Sequence, residues 1–329
     1  MDSPCIAYVA ELQLFVLIET SRRILMPNRP VVAHIHEQFL PRSETFIYSY
    51  ISRLNRADCI CIGQRPFVNM DLFPIPRSNR YVVSGAPPGL RWLCRFALRR
   101  VTGRHILAER IIRSRNTRLL HAHFGPNGWW ALPLKRVLGV PLVTSFYGSD
   151  TAPSLRTHLD WPRHRQKLFD EGDLFLVEGP FVRQKLVRLG CRREKVQIQR
   201  IALDLRQTPF KPRKLLSRTK VVVIFAGRFV EKKGLAYALQ AVRSVLDMGF
   251  ALEFRIIGDG PLANRIYKLI RETRLEKDVK LYGFLNYQDY LSEMNEADIL
   301  IQPSVTAANG DTEGALLQPY WRPKQWGCQ

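Results

Sequence analysis

The run Val221-Val222-Val223-Ile224-Phe225-Ala226 is apolar at every position, so a strand built from it must be covered on both faces. Comparable short runs recur along the chain at Val31–His36, Asp58–Ile62, Leu119–His123, Leu142–Phe146, Leu174–Val177, Val196–Ile201, Leu252–Ile257, Val279–Tyr282 and Asp298–Ile301. Most gaps between them have the spacing of amphipathic helices. Strands that alternate with helices build a parallel sheet clad on both sides, so the fold class is α/β and doubly wound.

The rhythm breaks once. Residues 202–219 carry Pro209, Pro212 and several cations without periodicity, and 329 residues exceed one ordinary core. The sequence therefore predicts a first Rossmann-like domain over 29–205, a linker over 206–219 and a second domain over 220–314. Residues 1–28 form an atypical N-terminal extension, and 315–329 a tail outside the second unit.

Charge narrows the partners. Fifty Lys and Arg face 29 Asp and Glu, a formal net charge of +21, which suits an acidic ligand, an anionic membrane or a polyanion. The excess is local: nine arginines between Arg91 and Arg118 have only Glu109 among them, and Trp92, Leu93, Phe96, Leu98, Val101 and Ile106 are interleaved. Residues 89–118 read either as a helix lying on anionic lipid or as a domain helix with its apolar side in the core. The six cysteines contain no C-x-x-C pair and fit a reduced, cytoplasmic compartment. No apolar stretch is long enough to span a bilayer.

The strand ends carry the chemistry. Val221–Ala226 opens into Gly227-Arg228-Phe229-Val230-Glu231-Lys232-Lys233-Gly234, which puts cations at a strand's carboxyl end. Leu252–Ile257 opens into Gly258-Asp259-Gly260-Pro261, where Gly258 and Gly260 let backbone amides approach an anion and Pro261 suits a first helical turn. In the first domain His121 and His123 lie two apart, hence on one strand face, and His34 and His36 repeat the spacing. A metal site there is conceivable but not expected, because no Asp, Glu or Cys ligand is recruited to it. Ser43 is positioned to cap a helix beginning at Glu44.

With these pieces in order, the chain resembles family 4 glycosyltransferases of the GT-B fold, in the exopolysaccharide branch that includes colanic acid and amylovoran enzymes. The resemblance rests on Ser43-Glu44-Thr45-Phe46-Ile47, His121-Ala122-His123-Phe124-Gly125, Ser145-Phe146-Tyr147-Gly148-Ser149-Asp150, Gly227-Arg228-Phe229 with Lys232-Lys233-Gly234, Gly258-Asp259-Gly260-Pro261, and Pro303 to Gly314. It implies two Rossmann-like domains facing a cleft, with the second incomplete. It also implies transfer of a sugar from a UDP- or GDP-sugar to a lipid-linked or polysaccharide acceptor, with retained configuration, no metal and no cofactor beyond the nucleotide-sugar co-substrate. Arg228 and Lys233 match the pair that grips the donor diphosphate, and two fixed cations would stabilise a departing diphosphate. Glu313 matches the first glutamate of an E-x7-E motif near the donor sugar, His123 the histidine beside the reacting sugar, and Asp150 and Ser43 further cleft loops.

The chain departs from that pattern at its end. Trp321 stands where the second glutamate belongs, and Pro319 and Pro323 interrupt what should be a helix, at about 3 kcal/mol each. The expectation drawn from this is a truncated or frameshifted product whose last strand, Asp298–Ile301, lies at an open sheet edge and whose solubility is poor. The alternatives are an inactive remnant with residual nucleotide or membrane binding, and a basic nucleic-acid-binding protein. No nucleic-acid module is recognisable, so nucleic acid is not the expected partner.

Overall fold

The computed structural model describes residues 29–41, 44–83, 103–151, 160–201 and 220–313. The extension 1–28, Ser43, the linker 206–219, the tail 315–329 and residues 89–102 of the basic stretch lie outside them. Two compact units divide between Ala202 and Leu203.

Unit 1 holds a seven-stranded parallel sheet of β1 (Val31–His36), β2 (Asp58–Gly63), β3 (Arg80–Val82), β4 (Thr117–His123), β5 (Leu142–Phe146), β6 (Leu174–Val177) and β7 (Val196–Ile198). Their spatial order is β3-β2-β1-β4-β5-β6-β7. The chain reverses direction of winding between β1 and β4, and in such sheets ligands bind at the carboxyl ends beside that point. Helices α1 (Thr45–Ser52), α2 (Ile106–Ser114), α3 (Gly125–Leu138), α4 (Trp161–Glu171) and α5 (Pro180–Arg188) supply the cladding. Phe146, Trp161, Leu168, Phe169 and Phe175 fill one side of the sheet, while Val32, Leu119, Val143 and Leu174 form a row on the other.

That second row changes character along the strands. Because alternate residues share a face, Val32 is followed by His34 on β1, Leu119 by His121 and His123 on β4, and Val143 by Ser145 on β5. Register confirms the alignment, since His34 pairs with His121. The face is hydrocarbon at the amino ends and imidazole at the carboxyl ends.

Unit 2 repeats the plan in β8 (Val221–Ala226), β9 (Leu252–Ile257), β10 (Val279–Gly283) and β11 (Ile299–Leu300), with α6 (Leu235–Asp247), α7 (Ala263–Glu272) and α8 (Tyr287–Glu296). The order is β10-β9-β8-β11, all parallel. Helix α6 buries Leu235, Ala238, Leu239 and Val242 at helical spacing against Phe225, Phe254 and Ile256. β11 is shorter than its sequence suggests because Asp298 is used differently: its carboxylate accepts from the Val222 amide, fastening the strand's start to β8.

Three expectations need correction. β3 was not foreseen, being three residues long with no apolar signature. Helix α1 starts at Thr45 with Glu44 at its cap and no side-chain capping bond, one residue later than predicted. In the described part of the basic stretch, α2 turns Ala108, Ile111 and Ile112 into the core, and Arg104 pairs with buried Glu109. That part is a domain helix. Among the described residues no helix is long and apolar enough to cross a membrane.

Candidate active site

In unit 1 the exit of β4 is a forced turn. Phe124 adopts φ 68° and ψ 144°, a left-handed conformation unusual for an aromatic residue, and Gly125 follows as the first residue of α3. A Cβ on Gly125 would lie 2.7 Å from both Phe146 and Trp161, so no other residue fits without displacing them. Asn127 Nδ2 donates to the His123 carbonyl at 2.7 Å and holds the turn from within.

The imidazoles meet at this turn. His34 Nδ1 lies 3.0 Å from His123 Nε2, His123 Nδ1 lies 2.8 Å from the Tyr147 hydroxyl, and His121 Nε2 lies 2.8 Å from Ser145 Oγ. All three rings have no solvent exposure. Burial therefore holds them neutral: it lowers His121 to about 3 and carries His34 and His123 well below the ordinary histidine value, with neighbouring imidazoles adding to the shift. The Tyr147 phenol is pushed up, mainly by burial. A neutral chain of Tyr147, His123 and His34 can pass hydrogen-bond polarity to a hydroxyl without placing charge beside it. Two nitrogens, His34 Nε2 and His121 Nδ1, are buried without a hydrogen-bond partner. Each such group costs about 1–3 kcal/mol when nothing satisfies it.

Asp150 sits under this cluster rather than in it. One carboxylate oxygen accepts from the Gly125 amide at 2.9 Å, the other from the Tyr147 amide at 3.1 Å, and its carbonyl accepts from Trp161 Nε1. Burial raises its pKa to about 6, opposed by those amides. Both oxygens are engaged with backbone, so Asp150, expected from sequence at a cleft loop, is a clamp joining the β4 and β5 exits. His36, on the next pleat of β1, has Nε2 2.9 Å from Glu44 Oε2.

Unit 2 concentrates charge at the corresponding strand ends. The turn Glu231–Lys233 is laced to the segment after β11: the Val305 amide donates to the Lys232 carbonyl, the Ala308 amide to Glu231 Oε1, Lys232 Nζ pairs with Asp311 at 3.1 Å, and Lys233 Nζ pairs with Glu313 at 3.2 Å. Two residues singled out separately in the sequence, Lys233 and Glu313, are thus direct partners. Burial lowers the Lys233 pKa, and Glu313 opposes the shift. The Lys233 stem lies over the β8 exit, where a Cβ on Gly227 would meet its Cδ at 3.6 Å. Arg228, one residue on, is exposed and has no ion pair among the described residues.

The glycines act differently from expectation. Gly258 donates its amide to the Gly283 carbonyl and Gly260 its amide to Asp259 Oδ1, so neither amide is left for an anion. Their role is close approach. Gly258 has φ 130° and its Cβ would fall 2.1 Å from the Gly227 carbonyl, while a Cβ on Gly260 would fall 2.7 Å from the Phe229 carbonyl. This packs the Gly227–Phe229 turn against the Gly258–Gly260 turn. Pro261 lies two residues before α7, ahead of its first turn.

Sequence reasoning missed Lys232 as a structural partner of Asp311, and it missed Tyr147 and Ser145. Both of the latter could have been found, since they follow Val143 at strand spacing on the histidine face. Ser43 lies outside the described residues.

Comparison with known proteins places these features. Residues 69–206 match the glycosyltransferase family 4 model and residues 207–315 the glycosyl transferases group 1 model. The chain is 37% identical over 197 residues to the Escherichia coli protein named for colanic acid biosynthesis as glycosyltransferase WcaL, covering 59% of this chain and 48% of that one. It is 34% identical over 200 residues to the amylovoran biosynthesis glycosyltransferase AmsK of Erwinia amylovora, covering 58% and 47%. The chain thus spans about half the length of the curated relatives it matches. In fold it is similar to Anabaena HepE, solved with UDP, at a TM-score of 0.69 and 14% identity over 91% of this chain and 79% of that one. It is also similar to the lipopolysaccharide outer core galactosyltransferase WaaB, at 0.64 and 14% over 90% and 78%.

Proposed function

We propose that this chain, which belongs to the GT-B glycosyltransferases through its family 4 and group 1 segments, moves a sugar from a nucleotide-sugar donor to a carbohydrate acceptor in exopolysaccharide biosynthesis. The observation that carries the reading is the Lys233–Glu313 pair at the end of β8, flanked by exposed Arg228. A diphosphate entering there meets two cations, which offset the negative charge that accumulates as the sugar leaves. Glu313, released from Lys233 by the phosphate, accepts hydrogen bonds from donor-sugar hydroxyls. That HepE is solved with UDP and with UDP-glucose supports a uridine donor.

In unit 1, His123 is the group proposed to touch the reacting sugar. A neutral imidazole backed by Tyr147 can turn its Nε2 to a sugar hydroxyl in exchange for its hydrogen bond to His34 Nδ1, without desolvating a charge. Transfer with retention and without a metal is consistent with two cations, Arg228 and Lys233, in a metal's electrostatic role. The acceptor is proposed to be a lipid-linked or polysaccharide chain.

The test is transfer and donor hydrolysis by the purified chain with UDP- and GDP-sugars, alongside Lys233→Ala and Glu313→Gln. Activity or donor-induced thermal stabilisation in the parent, lost in Lys233→Ala, is the expected result. Nucleotide binding that survives both Arg228→Ala and Lys233→Ala would overturn the assignment.

A further inference from the structure

We propose that His34, His121 and His123 form an accessory site for a divalent transition-metal ion of the zinc class. One ring nitrogen from each lies within 4.8 Å of one from each of the others. A tetrahedral ion with metal–nitrogen bonds of about 2.0–2.1 Å needs its ligand nitrogens about 3.4 Å apart. His34 Nδ1 and His123 Nε2 are already at 3.0 Å. The rest closes by rotation of imidazole rings, whose second torsion is broad.

The hydrogen bonds around the trio favour the same arrangement. His123 Nδ1 is held by the Tyr147 hydroxyl and His121 Nε2 by Ser145 Oγ, which leaves His121 Nδ1 free for a ligand, while a metal would replace the proton shared by His123 Nε2 and His34 Nδ1. Ligating histidines characteristically have the other ring nitrogen fixed in this way. His121 Nδ1 is fully buried and without a partner, as expected where a bond to something other than protein is missing. Tyr50 meets His34 and His121 edge-on and adds no competing carboxylate. Three imidazoles and no acidic oxygen select zinc, copper, nickel or cobalt over magnesium or calcium.

Resting on the role given to His123 above, an occupied site withdraws that ring from the sugar, so the ion acts as a brake on transfer. The experiment uses the untagged full chain, freed of metal by chelator dialysis and titrated with Co2+ and then Zn2+. Expected is one Co2+ per chain with the visible absorption of a four-coordinate ion, displaced by Zn2+, weakened at least tenfold in His34→Gln and His121→Gln and kept in His164→Gln. Absence of saturable uptake by the folded wild-type chain, or uptake unchanged in both variants, overturns the site. If neither variant keeps its circular dichroism spectrum, the wild-type cobalt spectrum decides alone. Metal binding that leaves sugar transfer unaltered refutes the brake and the role of His123 while the site stands.

Discussion

The two units share one plan, with strands in the order third, second, first, fourth, yet the ends of those strands carry opposite chemistry. Unit 1 gathers neutral rings with no exposure; unit 2 gathers Lys232, Lys233, Asp311 and Glu313, partly open to solvent, with Arg228 exposed beside them. Topology supplies a location where loops diverge, and the side chains decide what enters it. A dry, uncharged surface suits a hydroxyl that must be oriented, whereas fixed cations suit an anion that must be held.

The comparison breaks first if close backbone packing is not what shapes unit 2. Gly258→Ala should prevent unit 2 from folding, a loss of more than about 4 kcal/mol, because the new Cβ meets the Gly227 carbonyl at a backbone angle that alanine avoids. Urea unfolding followed by circular dichroism and limited proteolysis reads it; a stable variant would mean the two turns can separate freely. Next, Lys233→Ala should lower sugar transfer by about 10²- to 10³-fold if unit 2 stabilises a leaving diphosphate. A loss of only a few fold would erase the contrast between the charged and uncharged strand ends.

The third test is acid. With chelator present, His34, His121 and His123 stay neutral in the folded chain but take protons when unfolded, so stability is complete above about pH 6.5 and falls below it, by about 1.4 kcal/mol per pH unit for each. Asp150 works the other way, because its raised pKa of about 6 lets the folded state bind a proton first as pH drops. The net loss from pH 6 to 5 is about 3 kcal/mol, confined to unit 1. Melting measured across that range should show unit 1 failing well before unit 2, and equal sensitivity would mean the rings are hydrated. The smallest effect belongs to Lys232→Ala, about 1 kcal/mol of unit 2 stability with a modest loss of nucleotide affinity, since Asp311 keeps solvent access after its partner goes.

Strand positions were legible because a parallel sheet hides both faces: Val221–Ala226 is wholly apolar, and Val31–His36 and Leu142–Phe146 are apolar at most positions. β3 was not, because an edge strand of three residues buries too little to need such a signature. Within the sites, the identities of Lys233, Glu313 and His123 were readable from motif order, but their partners were not. Lys232 to Asp311 and Asp150 to Gly125 join residues far apart in sequence, and nothing local announces them. The glycine turn was found for a reason the structure replaces: Gly258 and Gly260 serve backbone approach, a requirement as exacting as anion binding and identical in sequence.

Strand β1 lies between β2 and β4, and β4 begins only at Thr117. While the ribosome is still making the intervening chain, β1 has one neighbour, its other edge is open, and His34 faces water with an ordinary proton affinity. Desolvation of the rings therefore waits for a long loop to close, a non-local pairing of the kind that forms slowly.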